Sequence, residues 1–77
     1  MQEVIARHRG GDLLGALEVC QVVVARRPDM NAGLMQLALL HRKLGHLAPA
    51  IAALRRAFDL SPDDPGTVVL LASYLSE

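Results

Sequence analysis

Residues 31–62 read NAGLMQLALLHRKLGHLAPAIAALRRAFDLSP, and the fold follows from them. Leu34, Leu37, Ala38 and His41 stand at i, i+3, i+4 and i+7, one stripe of a helix with about 3.6 residues per turn. After Leu44-Gly45-His46 a second run repeats the device with Leu47, Ala50, Ile51, Leu54, Ala57 and Phe58. Pro49 is compatible with this run because it falls in the first turn, where a backbone N–H has no helical partner. Two amphipathic helices around a glycine turn, closed by Leu60-Ser61-Pro62, predict a hairpin.

The landmarks of that hairpin recur. Gly11 and Gly45, Leu13 and Leu47, Ala16 and Ala50, Pro28 and Pro62, Asp29 and Asp63, Leu37 and Leu71, and Ala38 and Ala72 are each 34 residues apart. A period of this length with these residue types resembles the tetratricopeptide repeat. The slots of the family pattern read Leu34, Leu37-Ala38, His41, Gly45, Ala50, Leu54, Ala57 and Pro62, with His41 where the family usually has an aromatic. In the preceding repeat Gly11, Ala16, Cys20, Val23 and Pro28 match, whereas Glu3, Val4 and Arg7 fit the first-helix slots poorly. After Pro62 the pattern restarts with Val68, Leu71, Ala72 and Leu75. The resemblance implies an all-α fold of antiparallel helix hairpins, stacked as a short right-handed superhelix of about two repeats with part-repeats at the ends. Residues 1–77 are expected to be a single domain: a truncated first repeat over 1–28, a complete repeat over 31–62, and the first helix of a third over 65–77.

The flanking segments predict three more helices. Gln2 to Arg9 forms a stub that Gly10-Gly11 stops, and its shortness predicts fraying. Asp12 caps a helix from Leu13 to about Arg26, with Leu13, Ala16, Leu17, Cys20, Val23 and Val24 buried and Val19 and Val22 towards solvent. Asp29 or Asn31 is the expected cap of the next helix, and Asp63 or Asp64 that of the last, which begins near Pro65. That last helix is apolar nearly all round, through Val68, Val69, Leu70, Leu71, Ala72, Tyr74 and Leu75. Such a helix is buried or binds something.

Composition narrows the function. The 77 residues are 52% hydrophobic with one Tyr, one Phe and no Trp, which favours an aliphatic helical interior over a strand sandwich. Formal net charge is zero, which argues against a nucleic-acid partner held by phosphate neutralisation. Cys20 is the single cysteine, so no intrachain disulfide can form. The N-terminus lacks the basic-then-apolar pattern of a signal, and no apolar run approaches the ~20 residues of a membrane span. A cytoplasmic protein without a membrane partner is the expectation, and Met1 suits a natural or engineered start.

Catalysis needs a constellation, and none is evident, so no enzyme activity, cofactor or metal is expected. His41 and His46 are five apart across Gly45, a spacing that does not put both rings on one helical face. His41 reads as a partly buried spacer and His46 as a turn residue. Cys20 lacks a base and reads as a small core residue. The glycine turns follow no strand and carry no phosphate-loop Lys.

What the family resemblance offers instead is a concave face made by the inner sides of the first helices. Carried onto this sequence, that face presents Met1, Ile5, His8 and Arg9, then Ala32, Met35, Leu39, Arg42 and Lys43, then Gly66, Val69, Ser73, Ser76 and Glu77. Ile5, Met35, Leu39 and Val69 would form an apolar strip, edged by His8, Arg9, Arg42 and Lys43. The expected function is a protein-protein interaction module, with a scaffold role, that takes an amphipathic or acidic peptide or partner helix in this groove. Met1, Ile5 and Leu39 occupy sites where the carboxylate-clamp subtype has polar and basic residues, so that subtype is not expected. A plainer reading stands beside the groove, since cations in the last turn of a helix are favoured by its macrodipole whether or not anything binds. Two alternatives remain open: self-association as a homodimer or by helix exchange, through Val69, Leu70 and Tyr74 of the last helix, or membership of a larger protein with an enzyme domain of its own.

Overall fold

Gly11 and Gly45 both have φ +84°, the left-handed conformation that a Cβ disfavours, and each closes a helix in the same way. At the first turn Gly11 N–H donates to His8 C=O (3.2 Å) and Asp12 N–H to Arg7 C=O (2.9 Å). At the second, Gly45 N–H donates to Arg42 C=O (3.1 Å) and His46 N–H to His41 C=O (2.7 Å). These are paired Schellman closures, which satisfy carbonyls that a helix end otherwise leaves open. The 34-residue period is thus a period of backbone geometry as well as of residue type.

The computed structural model describes residues 2–77. Among them the chain forms five helices and no strand: α1 (Gln2–Arg9), α2 (Leu13–Arg26), α3 (Asn31–Lys43), α4 (Leu47–Leu60) and α5 (Pro65–Leu75). Each helix packs against the next in chain order, so the fold is all-α, a stack of helical hairpins. Two caps behave as expected: Asp12 Oδ1 accepts from Gly15 N–H (3.0 Å), and Asp64 Oδ1 from Gly66 N–H (3.1 Å). The cap of α3 does not, because Met30 takes that place with no side-chain bond, while Asn31 is already helical. Asn31 instead reaches across the repeat, donating from Nδ2 to Asp64 Oδ2 at 2.9 Å.

The core follows the small-residue slots. Ala16, Ala38, Ala50 and Ala57 are fully buried beside Leu34 and Leu54, so the helices approach closely at each alanine. Val4 is also fully buried, which anchors α1 despite its eight residues. Leu40 and Ala53 are buried although neither belongs to the stripes read from the pattern. An inner helix of a linear stack has neighbours on two sides and buries a second stripe. On α3 that stripe is Gly33, Leu37 and Leu40, and Cys20 Sγ of α2 donates to Gly33 C=O at 3.4 Å. The same positions one repeat later are Thr67, Leu71 and Tyr74, and α5 turns them towards α4, with Thr67 fully buried and Tyr74 nearly so.

Three expectations are corrected by this two-sided packing. Tyr74, assigned above to a self-association face, is 7% exposed and lies in the core, and Leu70 beside it is half-buried against the core. Phe58, expected inside, is exposed, because its equivalent Val24 shares a cleft with Arg56 of α4 and no helix among the described residues stands in that place for Phe58. Val19, expected towards solvent, is half-buried against the core, whereas Val22 is exposed as expected.

Candidate protein-binding groove

The last turns of α1 and α3 end side by side in positive charge, Arg7-His8-Arg9 on one and His41-Arg42-Lys43 on the other. A cleft of about 490 Å³ between them is lined by Ile5, His8, Arg9, Gln36 and Lys43. Four of these were candidate groove residues, and the structure brings them together. Gln36 was missed. Its signal was its place seven residues before Lys43, two turns along the same face of α3. His8 Nε2 and Gln36 Oε1 are both hidden from solvent and have no hydrogen-bond partner among the described residues.

The other groove candidates divide differently. Arg42 is engaged within the chain: its Nε donates to Glu77 Oε2 at 2.9 Å and its Nη2 lies 2.5 Å from Glu77 Oε1, a two-point pair that raises the Arg42 pKa. Met35 and Leu39 are half-buried, Val69 is 65% exposed, and Ala32 and Ser73 are exposed. Met1 lies outside the described residues. Beneath Met35, a polar cluster pins α5 to α3. The Thr67 hydroxyl, with one proton, stands 3.0 Å from Asp64 Oδ2 and 3.1 Å from Met35 Sδ, and the carboxylate is the stronger acceptor.

Two further clefts lie along α2, one lined by Gln21, Val24, Ala25, Pro28, Leu37 and Arg56, the other by Val23, Arg26, Arg27 and Met30. Neither includes a groove candidate. At the end of α3, His41 and His46, which share no helical face, come within 5.9 Å between ring centroids. The glycine turn supplies the approach. Burial holds His41 below its ordinary pKa of 6.5, and the neighbouring His46 adds to that. Burial likewise pushes the Cys20 thiol up to about 11, far from the thiolate a nucleophile needs. Among the described residues no three His, Cys, Asp or Glu side chains come together as metal ligands would, and no helix is long and apolar enough to cross a membrane.

A stack of helical hairpins with paired αL turns, alanine crossings and an accessible inner face defines a repeat module of the kind that binds other proteins. The model of the tetratricopeptide repeat family matches residues 31–74, more than half of the chain, and the chain belongs to that family. It is a protein-protein interaction module, and its partners are proteins. No curated protein matches it.

Proposed function

We propose that the inner face of α1, α3 and α5 is the working surface and that it takes an amphipathic, acidic peptide segment or partner helix. The observation that carries this reading is the cleft where Ile5, His8, Arg9, Gln36 and Lys43 meet, a mostly polar pocket with one apolar side chain and two cations in a chain of zero net charge. Met35 and Leu39, half-buried on the adjoining face of α3, offer apolar anchoring, and Val69 and Ser73 extend the surface onto α5. The module is read as non-catalytic, an adaptor rather than an enzyme, and the burial of Cys20 supports that. Selection from a displayed peptide library tests the groove. Selected peptides should be acidic and apolar by turns, and Leu39→Glu with Lys43→Glu should abolish their binding while circular dichroism stays helical. Peptides that bind the double variant as tightly as the wild type would place the site elsewhere.

One observation favours a second reading, self-association. The stripe Val68, Ala72 and Leu75 repeats the positions of Leu34, Ala38 and His41, yet Val68 is 41% and Leu75 52% exposed. With Tyr74 inside the core, the residues available to a second copy are Val68, Val69, Ala72 and Leu75. Light scattering on the wild type and on Val68→Lys with Leu75→Lys decides it. A wild type that stays monomeric at every concentration counts against the homodimer.

A further inference from the structure

The last helix repeats the packing stripe of α3 without its cover. On α3 the stripe is Leu34, Ala38 and His41, with Leu34 and Ala38 fully buried. Helix α4, packed along α3, brings Leu47, Ala50 and Leu54, a large, a small and a large residue over two turns of one face, and Ala50 and Leu54 are fully buried. On α5 the equivalent stripe is Val68, Ala72 and Leu75, and all three are exposed. These too are large, small and large over two turns. Helix α5 therefore carries both the surface that needs a cover and the pattern that supplies one.

Two further observations favour a second copy as that cover. Between Pro65 and Leu75 there is no charged residue, so setting this helix against itself brings no like charges together. Large exposed apolar side chains also gather at this end of the stack, with Phe58 and Leu60 late in α4 and Val68, Val69 and Leu75 on α5, against Leu14 and Val22 on α2. Apolar surface concentrated in this way marks a contact site.

We propose that two copies pair α5 against α5, antiparallel about a two-fold axis at Ala72, an inference that rests on the self-association reading above and gives it a register. Ala72 meets Ala72 of the partner subunit, so the axes approach closely, as they do at the buried alanines within the chain. On either side Val68 meets Leu75 of the partner subunit. One pair of short helices buries less than the about 1,200 Å² of stable complexes, so the dimer is weak and forms at high chain concentration.

The test is disulfide trapping of the full chain. Ala72→Cys, Val68→Cys, Leu75→Cys and Ala48→Cys each place a thiol at an exposed position, and the wild type, with only buried Cys20, is the blank. With diamide as oxidant, Ala72→Cys should form a disulfide dimer on the order of tenfold faster than Ala48→Cys, because the pairing holds its thiols within bonding reach at high effective concentration. Adding Val68→Lys to the Ala72→Cys chain should remove that excess. An equal mixture of Val68→Cys and Leu75→Cys chains should trap mainly the mixed dimer. Trapping of Ala72→Cys no faster than Ala48→Cys, an excess that survives Val68→Lys, or self-trapping of Val68→Cys and Leu75→Cys as fast as the mixture would overturn the pairing. If light scattering still finds a dimer in that event, the register falls and self-association stands. A chain that is monomeric at every concentration and shows no trapping excess sinks both.

Discussion

The rings of His41 and His46 lie 5.9 Å apart because they hold the two places that a Schellman closure brings together, the third residue from the helix end and the third beyond it. One repeat earlier the same places hold Arg7 and Asp12, and there the contact is an ion pair at 3.4 Å. The backbone fixes the approach, and the side chains decide whether it attracts or repels. Arg7 with Asp12 attracts. His41 with His46 is neutral until one ring gains a proton.

That difference predicts a pH dependence. The folded state holds His41 below its ordinary 6.5, so as pH falls the unfolded chain takes up the proton first. The stability due to neutral His41 is complete above about pH 7.5 and is lost as pH falls through 6.5 and below. His41→Phe, which fills the slot with an aromatic and removes the proton site, should lose less stability between about pH 7.5 and about pH 5.5 than the wild type. Thermal melts followed by circular dichroism at the two pH values measure it, and equal losses would refute the assignment.

Ala50 is fully buried where α4 crosses its neighbours, and its equivalent Ala16 is fully buried on α2. Ala50→Leu forces the helix axes apart and should lower stability by about 1–3 kcal/mol. Ala48→Leu, at an exposed position two residues earlier, should be close to neutral. Urea midpoints for the pair separate overpacking from any general effect of added leucine.

Asp64 does three things at once: it caps α5 through Gly66, accepts from Asn31 of α3, and accepts from the buried Thr67 hydroxyl. Asp12 caps α2 and pairs only with exposed Arg7. Asp64→Ala should therefore cost about 2 kcal/mol against about 1 for Asp12→Ala. If urea unfolding finds the two equal, the bonds from Asn31 and Thr67 add nothing beyond the cap.

Cys20 sits in the core with its thiol donating to Gly33 C=O and its pKa raised to about 11. A disulfide reagent at mildly alkaline pH should label it on the order of a hundredfold more slowly in the folded chain than in urea. Fast labelling of the folded chain would mean that α2 and α3 separate readily.

The fold was legible because its determinants are local. Glycines at αL turns, alanines at crossings and the Asp caps of α2 and α5 carry their geometry in the residue type, and the five helices fall where the pattern predicts except at the cap of α3, which is Met30. What escaped depends on neighbours. Leu40, Ala53 and Tyr74 are buried by a second packed side that a single helical stripe does not reveal, and Phe58 is exposed for want of a cover. At the candidate site, side-chain charge identified Arg9 and Lys43. The pairing of Arg42 with Glu77 spans 35 residues and followed from no local pattern, and neutral Gln36 escaped notice beside its charged neighbours.

One wall of the α1–α3 cleft belongs to an eight-residue helix that touches the rest of the stack mainly through α2. Opening of such a short helix, packed mainly on one neighbour, takes the cleft apart without unfolding the remainder. The apparent dissociation constant of a cleft ligand is then its intrinsic value divided by the fraction of chains with α1 docked. Truncating Val4, the buried anchor of α1, would weaken binding without touching one contact residue. Read the other way, saturating ligand slows amide exchange along α1, so this helix reports on occupancy.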